Sequence, residues 1–197
     1  MKKLITLLTI IFIVNTGQVF AKEAACTVGE LRPGGGYVFY CDPDKPTPEN
    51  PKKLPDGKIG LEAALNDISN WKEWGNIYNE IGTTKPGIGA GETNTTNIIK
   101  GLTELAKPYS IESADSAAFL CAQHKGWFLP SIEELTLMYK NLKAAKPSIG
   151  GFVDDVYWSY SERYNGVSVW AKYFGEDGEP IDFNKYVTWN VRCARVF

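Results

Sequence analysis

Residues 121–142 read CAQHKGWFLPSIEELTLMYKNL, and three structural instructions lie end to end in them. Ala114, Ala117, Ala118 and Cys121 recur at helical spacing and Gly126 follows as a stop, which predicts a helix ending near Lys125. Trp127, Phe128 and Leu129 form a short apolar run, and Pro130 drives Leu129 out of the helical region, so the run is extended. Ser131 then opens a second helix. Its hydroxyl can accept from the Glu134 amide while the Glu134 carboxylate reaches back, which is a capping box. Leu135, Met138, Tyr139 and Leu142 make one apolar stripe on that helix. A helix, a buried strand and a capped helix in so short a span predict a packed hub.

Upstream, the N-terminus reads as a targeting segment. Lys2 and Lys3 precede the mostly apolar run Leu4 to Val14, and Val19-Phe20-Ala21 has the small residues of a cleavage site, so residues 1–21 are expected to be removed on export. The apolar run is shorter than the roughly 20 residues of a membrane span. Lipidation at Cys26 is not expected, because Glu23-Ala24-Ala25 lacks the apolar residue that such a cysteine needs before it. Removing Lys2 and Lys3 leaves 19 basic against 23 acidic residues, a net charge of −4. With no basic run, nucleic acid is excluded as a partner.

Cys26, Cys41, Cys121 and Cys193 are an even set, which in an exported chain reads as disulfides. Zinc is disfavoured, since no two cysteines are close in sequence and the chain has one histidine. Four cysteines allow three pairings, and side-chain direction chooses among them. In the last strand Cys193 shares a face with Val187, Trp189 and Val191, and Cys121 lies on the apolar face of its helix. Both thiols should meet in the core as Cys121–Cys193, leaving Cys26–Cys41 as a local bridge between a leader, 22–33, and the strand Tyr37 to Cys41.

Between these anchors, Pro43, Pro46, Pro48, Pro51 and Pro55 mark 42–56 as loop. Leu61, Ala64, Leu65 and Ile68 predict a helix over Ile59 to Ile68. Trp71, Trp74, Ile77 and Tyr78 read as one apolar face packed on the core, with a sugar-stacking platform as the rival. The stretch Gly82 to Gly91 lacks the Gly-Lys-Ser/Thr of a phosphate loop and follows no strand, so its glycines are expected to serve tight turns, with Asn94 or Thr95 capping a helix Asn97–Ala106. After a loop at 143–151, strands are predicted at Tyr157 to Ser161, Val167 to Phe174, Ile181 to Phe183 and Tyr186 to Val196, with a turn at Glu176-Asp177-Gly178. Helices early and short antiparallel strands late make the fold class α+β, in one domain over 34–197.

Seven blocks then stand in one order: Gly35 to Tyr40, Gly60 to Ala64, Gly89 to Thr95, Gly126 to Leu135, Ile149 to Phe152, Tyr157 to Glu162, and Val191 to Arg195. In these the chain resembles the C-terminal domain family of the Legionella collagen-like adhesin. That family looks related to C-type-lectin-like folds, which implies a long disulfide from a helix to the last strand. The resemblance also implies binding of sulfated glycosaminoglycans and trimers, but this chain is net acidic and has no Gly-X-Y repeat. Calcium-dependent lectins use Glu-Pro-Asn and Trp-Asn-Asp tripeptides. Here Glu179-Pro180 is followed by Ile181 and Trp189-Asn190 by Val191, so no metal or other cofactor is expected.

Function is therefore expected to be an exported, non-catalytic binding or adhesion module for a glycan or surface partner. The late cluster Tyr160, Arg163, Tyr164, Trp170, Lys172, Asn190 and Arg192 is its candidate ligand face, because aromatic rings stack on sugars and cations pair with acidic groups. An accessory subunit that binds a protein in the bacterial envelope is the alternative. An enzyme like the formylglycine-generating proteins is the third reading, and it would need free cysteines. His124 stands at a helix end, Glu134 is used as a cap, and the adjacent pair Asp154-Asp155 does not converge on a substrate, so no catalytic set assembles.

Overall fold

The computed structural model describes residues 26–44, 47–48, 53–75, 80–82, 87–107, 116–163 and 166–197. The signal segment read over 1–21 lies outside them, as do Ile77, Tyr78, Ala114 and Tyr164. The chain is α+β. One sheet has the order β1 (Gly36–Cys41), β2 (Gly60–Ala64), β9 (Ala194–Val196), β4 (Trp127–Phe128), all antiparallel. The other has the order β3 (Ser69–Glu73), β8 (Thr188–Val191), β5 (Val156–Glu162), β6 (Ser168–Tyr173), β7 (Pro180–Asn184), with only β8 and β5 parallel. The helices are α1 (Gly91–Ala106), α2 (Ala117–Ala122) and α3 (Ile132–Met138), the last continued by a π-helical turn, Tyr139–Lys143.

Two apolar clusters hold these layers. Trp74, Ile98, Leu102, Cys121, Trp158 and Val169 join α1 and α2 to one face of the five-stranded sheet. Phe39, Leu61, Phe128, Leu135, Met138 and Tyr157 join α3 and the four-stranded sheet to its other face. Every residue of β5 is buried. Fully burying side chains of this size is worth about 1.5–3 kcal/mol each.

The hub forms as its sequence dictates. Ser131 Oγ accepts from Glu134 N at 2.9 Å and Glu134 Oε2 accepts from Ser131 N at 2.8 Å, so the capping box is closed. Leu135, Met138 and Leu142 are fully buried. Helix α2 ends at Ala122 rather than near Lys125, and Gly126, at φ +80°, turns the chain into β4. Both expected disulfides are present, Cys26–Cys41 and Cys121–Cys193.

Four expectations are corrected. The helix over Ile59 to Ile68 is instead the strand β2, with its first four residues buried between β1 and β9. A strand buried on both faces loses its alternation, and its apolar spacing then mimics a helix. The aromatic stripe divides: Trp74 is fully buried, whereas Trp71 on β3 is 75 % exposed. Helix α1 starts at Gly91, six residues before Asn97, with no side-chain cap. A Cβ on Gly91 would lie 2.1 Å from the Phe128 ring, so close packing on β4 places this helix start. Thr95 Oγ1 accepts from Leu129 N at 3.0 Å instead of capping. Finally, the single last strand is two, β8 in one sheet and β9 in the other, and Arg192-Cys193 make the crossing.

Candidate functional site

The capping box fixes the direction of α3, and with it a groove of about 600 Å³ on the outer side of this helix. Ile132 and Leu137 form one wall, Ile88 and Gly87 another, and Lys53 and Pro180 close the ends. The lining is mainly apolar, with Glu133 and Lys53 as its charged members.

Each wall has a named support. Glu134 is completely buried, and its second oxygen, Oε1, accepts from Gly89 N at 2.9 Å. Gly89 sits at φ +87°, a conformation that glycine adopts without cost. Tyr160 donates its hydroxyl to Gly87 O at 3.1 Å. The Asp42 carboxylate accepts from Lys53 N and Leu54 N, both at 2.9 Å, and so anchors the Lys53 end. Burial pushes the Glu134 carboxyl up to about 7 against the opposing pull of the Gly89 and Ser131 amides, and neighbouring Glu133 adds a smaller upward push. Burial likewise pushes the Tyr160 phenol well up, and the Glu134 charge adds to it.

The late cluster does not form one ligand face. Arg192 is 1 % exposed. Its Nε meets Asp67 Oδ1 at 2.6 Å, and it donates to the carbonyls of Ala64 (2.8 Å), Leu65 (3.1 Å) and Gly150 (2.8 Å). Asn190 is buried and donates to Asp155 Oδ2 at 3.0 Å and Val156 O at 2.9 Å. Lys172 is buried too; it donates to Gly178 O and stands 5.3 Å over the Tyr139 ring. Desolvation lowers the pKa of its amine, with Glu179 opposing. Tyr160 supports the groove wall from inside. These four are internal because β5 is buried along its whole length and Lys172, Asn190 and Arg192 are covered where β6 and β8 pass beneath neighbouring segments, which alternation in the sequence alone does not disclose.

Arg163 and Trp170 stay at the surface. The Arg163 guanidinium lies 4.6 Å over the Trp170 ring and 3.9 Å from Asp182 Oδ1. Asp182 pairs with Trp170, and Pro180 with Lys172, across the β6–β7 ladder, so Asp182 continues the Pro180 side of the groove. Ile88, Ile132 and Leu137 were not among the expected site residues. Ile132 and Leu137 did carry a signal, being apolar positions on α3 outside its buried stripe.

A second, smaller hollow of about 290 Å³ is lined by Asp67, His124, Trp127 and Cys193, among others. Asp67 is engaged there by Arg192 and by the Tyr157 hydroxyl at 3.0 Å, and Cys193 by its disulfide. Among the described residues no helix is long and apolar enough to cross a membrane. No protein-family model matches the chain, and no curated protein matches it.

Proposed function

We propose that this chain is an exported, non-catalytic binding module that holds a protein partner through the groove beside α3. The observation that carries the reading is the groove itself: an open, mainly apolar hollow whose α3 wall is set by the buried capping box, whose Gly87–Gly89 wall is held by Glu134 and the Tyr160 hydroxyl, and whose Lys53 end is held by Asp42. Preformed apolar clefts with a few placed polar groups are where binding energy is gained. Export is supported by the N-terminal signal pattern and by two disulfides, which persist in oxidising compartments. All four thiols are held in disulfides, which argues against the cysteine-dependent enzyme among the alternatives. The bridge from α2 to Cys193, between β8 and β9, fits the long disulfide from a helix to the last strand that the resemblance to the adhesin C-terminal domain family implies.

One observation favours a glycan as a second ligand class. Trp71 presents an exposed indole on the outer strand β3, and a ring of this kind stacks on a sugar. A screen of the oxidised chain 22–197 against apolar peptides and against neutral and sulfated glycans separates the two, using Leu137→Asp and Trp71→Ala. Peptide binding lost only in Leu137→Asp supports the groove. Glycan binding lost only in Trp71→Ala moves the site to β3. Binding unaffected by either change removes both.

A further inference from the structure

β7 is the outer strand of its sheet, with β6 on one side and no strand on the other among the described residues. Its register shows which main-chain groups face outward. Lys185 N donates to Val167 O and Tyr173 N donates to Glu179 O, so odd-numbered residues make the ladder bonds to β6. In an antiparallel pair the alternate residues turn their main-chain groups away. Pro180, Asp182 and Asn184 therefore point theirs at the open edge. Pro180 has no N–H, and the Asn184 carbonyl accepts from Val187 N. What remains is the Pro180 carbonyl, both groups of Asp182 and the Asn184 N–H, enough for three or so hydrogen bonds along one short strand.

The side chains of the same residues lie on the groove face. Pro180 lines the groove and Asp182 meets Arg163. A residue paired with Asp182 on an added strand shares that face, and so does its neighbour two positions along, opposite Pro180. The Asp182 side chain is 42 % exposed and anionic, whereas the groove beyond Pro180 is apolar. On the opposite face Ile181 is exposed and offers an apolar contact to the intervening residue.

We propose that β7 accepts an extended peptide as an added antiparallel strand, which places a cationic side chain over Asp182 and an apolar one in the groove. This rests on the groove being the contact surface. Main-chain bonds along the edge supply affinity, and the two faces of alternating side chains supply the choice of partner.

The test uses the capped peptide Thr-Val-Lys-Val-Leu and the same peptide N-methylated at its lysine, each titrated into the oxidised chain 22–197 and followed by amide NMR. The expected result is protection of the Asp182 and Asn184 amides from hydrogen exchange, shifts at Ile88 and Leu137, and binding about tenfold weaker for the methylated peptide. Asp182→Pro removes an outward N–H and the carboxylate opposite the lysine together, leaves the β6 ladder bonds in place, and is expected to weaken binding by more than about tenfold. Equal binding of both peptides with shifts at Ile88 and Leu137 overturns strand addition and leaves the groove standing. No binding by either peptide overturns it as well, and the Leu137→Asp screen then decides the groove separately. Protection of Asp182 and Asn184 that rises with protein concentration alone assigns the edge to a second copy and overturns the peptide.

Discussion

At the scale of single residues, buried charge decides most of what is specific to this chain. Glu134 caps α3 and holds the groove loop with the same carboxylate. Its pKa is pushed from 4.5 to about 7 in the fold. The unfolded chain therefore ionises first as pH rises. The contribution of Glu134 is fully present below pH 4.5, declines between 4.5 and 7, and is level above. Urea denaturation across this window should show wild type losing stability relative to Glu134→Gln by on the order of 3 kcal/mol. Arg192 works differently, because it satisfies one carboxylate and three carbonyls at the point where the chain changes sheets. Arg192→Leu leaves Asp67 and those carbonyls short of donors, and a loss of about 3–5 kcal/mol is expected in the same experiment. Arg192→Lys should recover only part of it, since an ammonium cannot reproduce the planar fork.

At the scale of elements, local signals succeed where the element ends in its own sequence. The capping box at Ser131 is one such case, and Ser131→Ala should cost about 1 kcal/mol, read as a lower urea midpoint with an unchanged slope. Signals fail where an element is sandwiched. β2 reads as a helix because Leu61, Ala64, Leu65 and Ile68 happen to fall at helical spacing, yet burial on both sides removes the alternation that would have marked a strand. The division of the last strand is similarly silent. Its residues alternate through Arg192 and Cys193 without a break, but the first half pairs with β3 and β5 and the second with β2 and β4.

At the scale of the whole molecule, the two disulfides differ in surroundings. Cys121–Cys193 is buried and closes a long loop, with a sequence separation of 72, whereas Cys26–Cys41 is partly exposed and local, with a separation of 15. Stepwise reduction followed by mass spectrometry of the alkylated chain should open Cys26–Cys41 first. Replacing Cys121 and Cys193 by alanine should destabilise by about 4 kcal/mol, against about 3 for the local pair. The sequence by itself determined the α+β class, both pairings, the capped hub and the positions of β5, β6 and β7, because each rests on periodicity, turn residues or a cap that acts within a few positions. Only the tertiary structure decided that Tyr160, Lys172, Asn190 and Arg192 face inward, that Trp71 faces out, and that the groove lies between Ile88, Leu137 and Pro180. Those outcomes depend on which elements cover which face, and the groove is lined from four segments distant in sequence, two of which meet through Glu134 rather than by any local pattern.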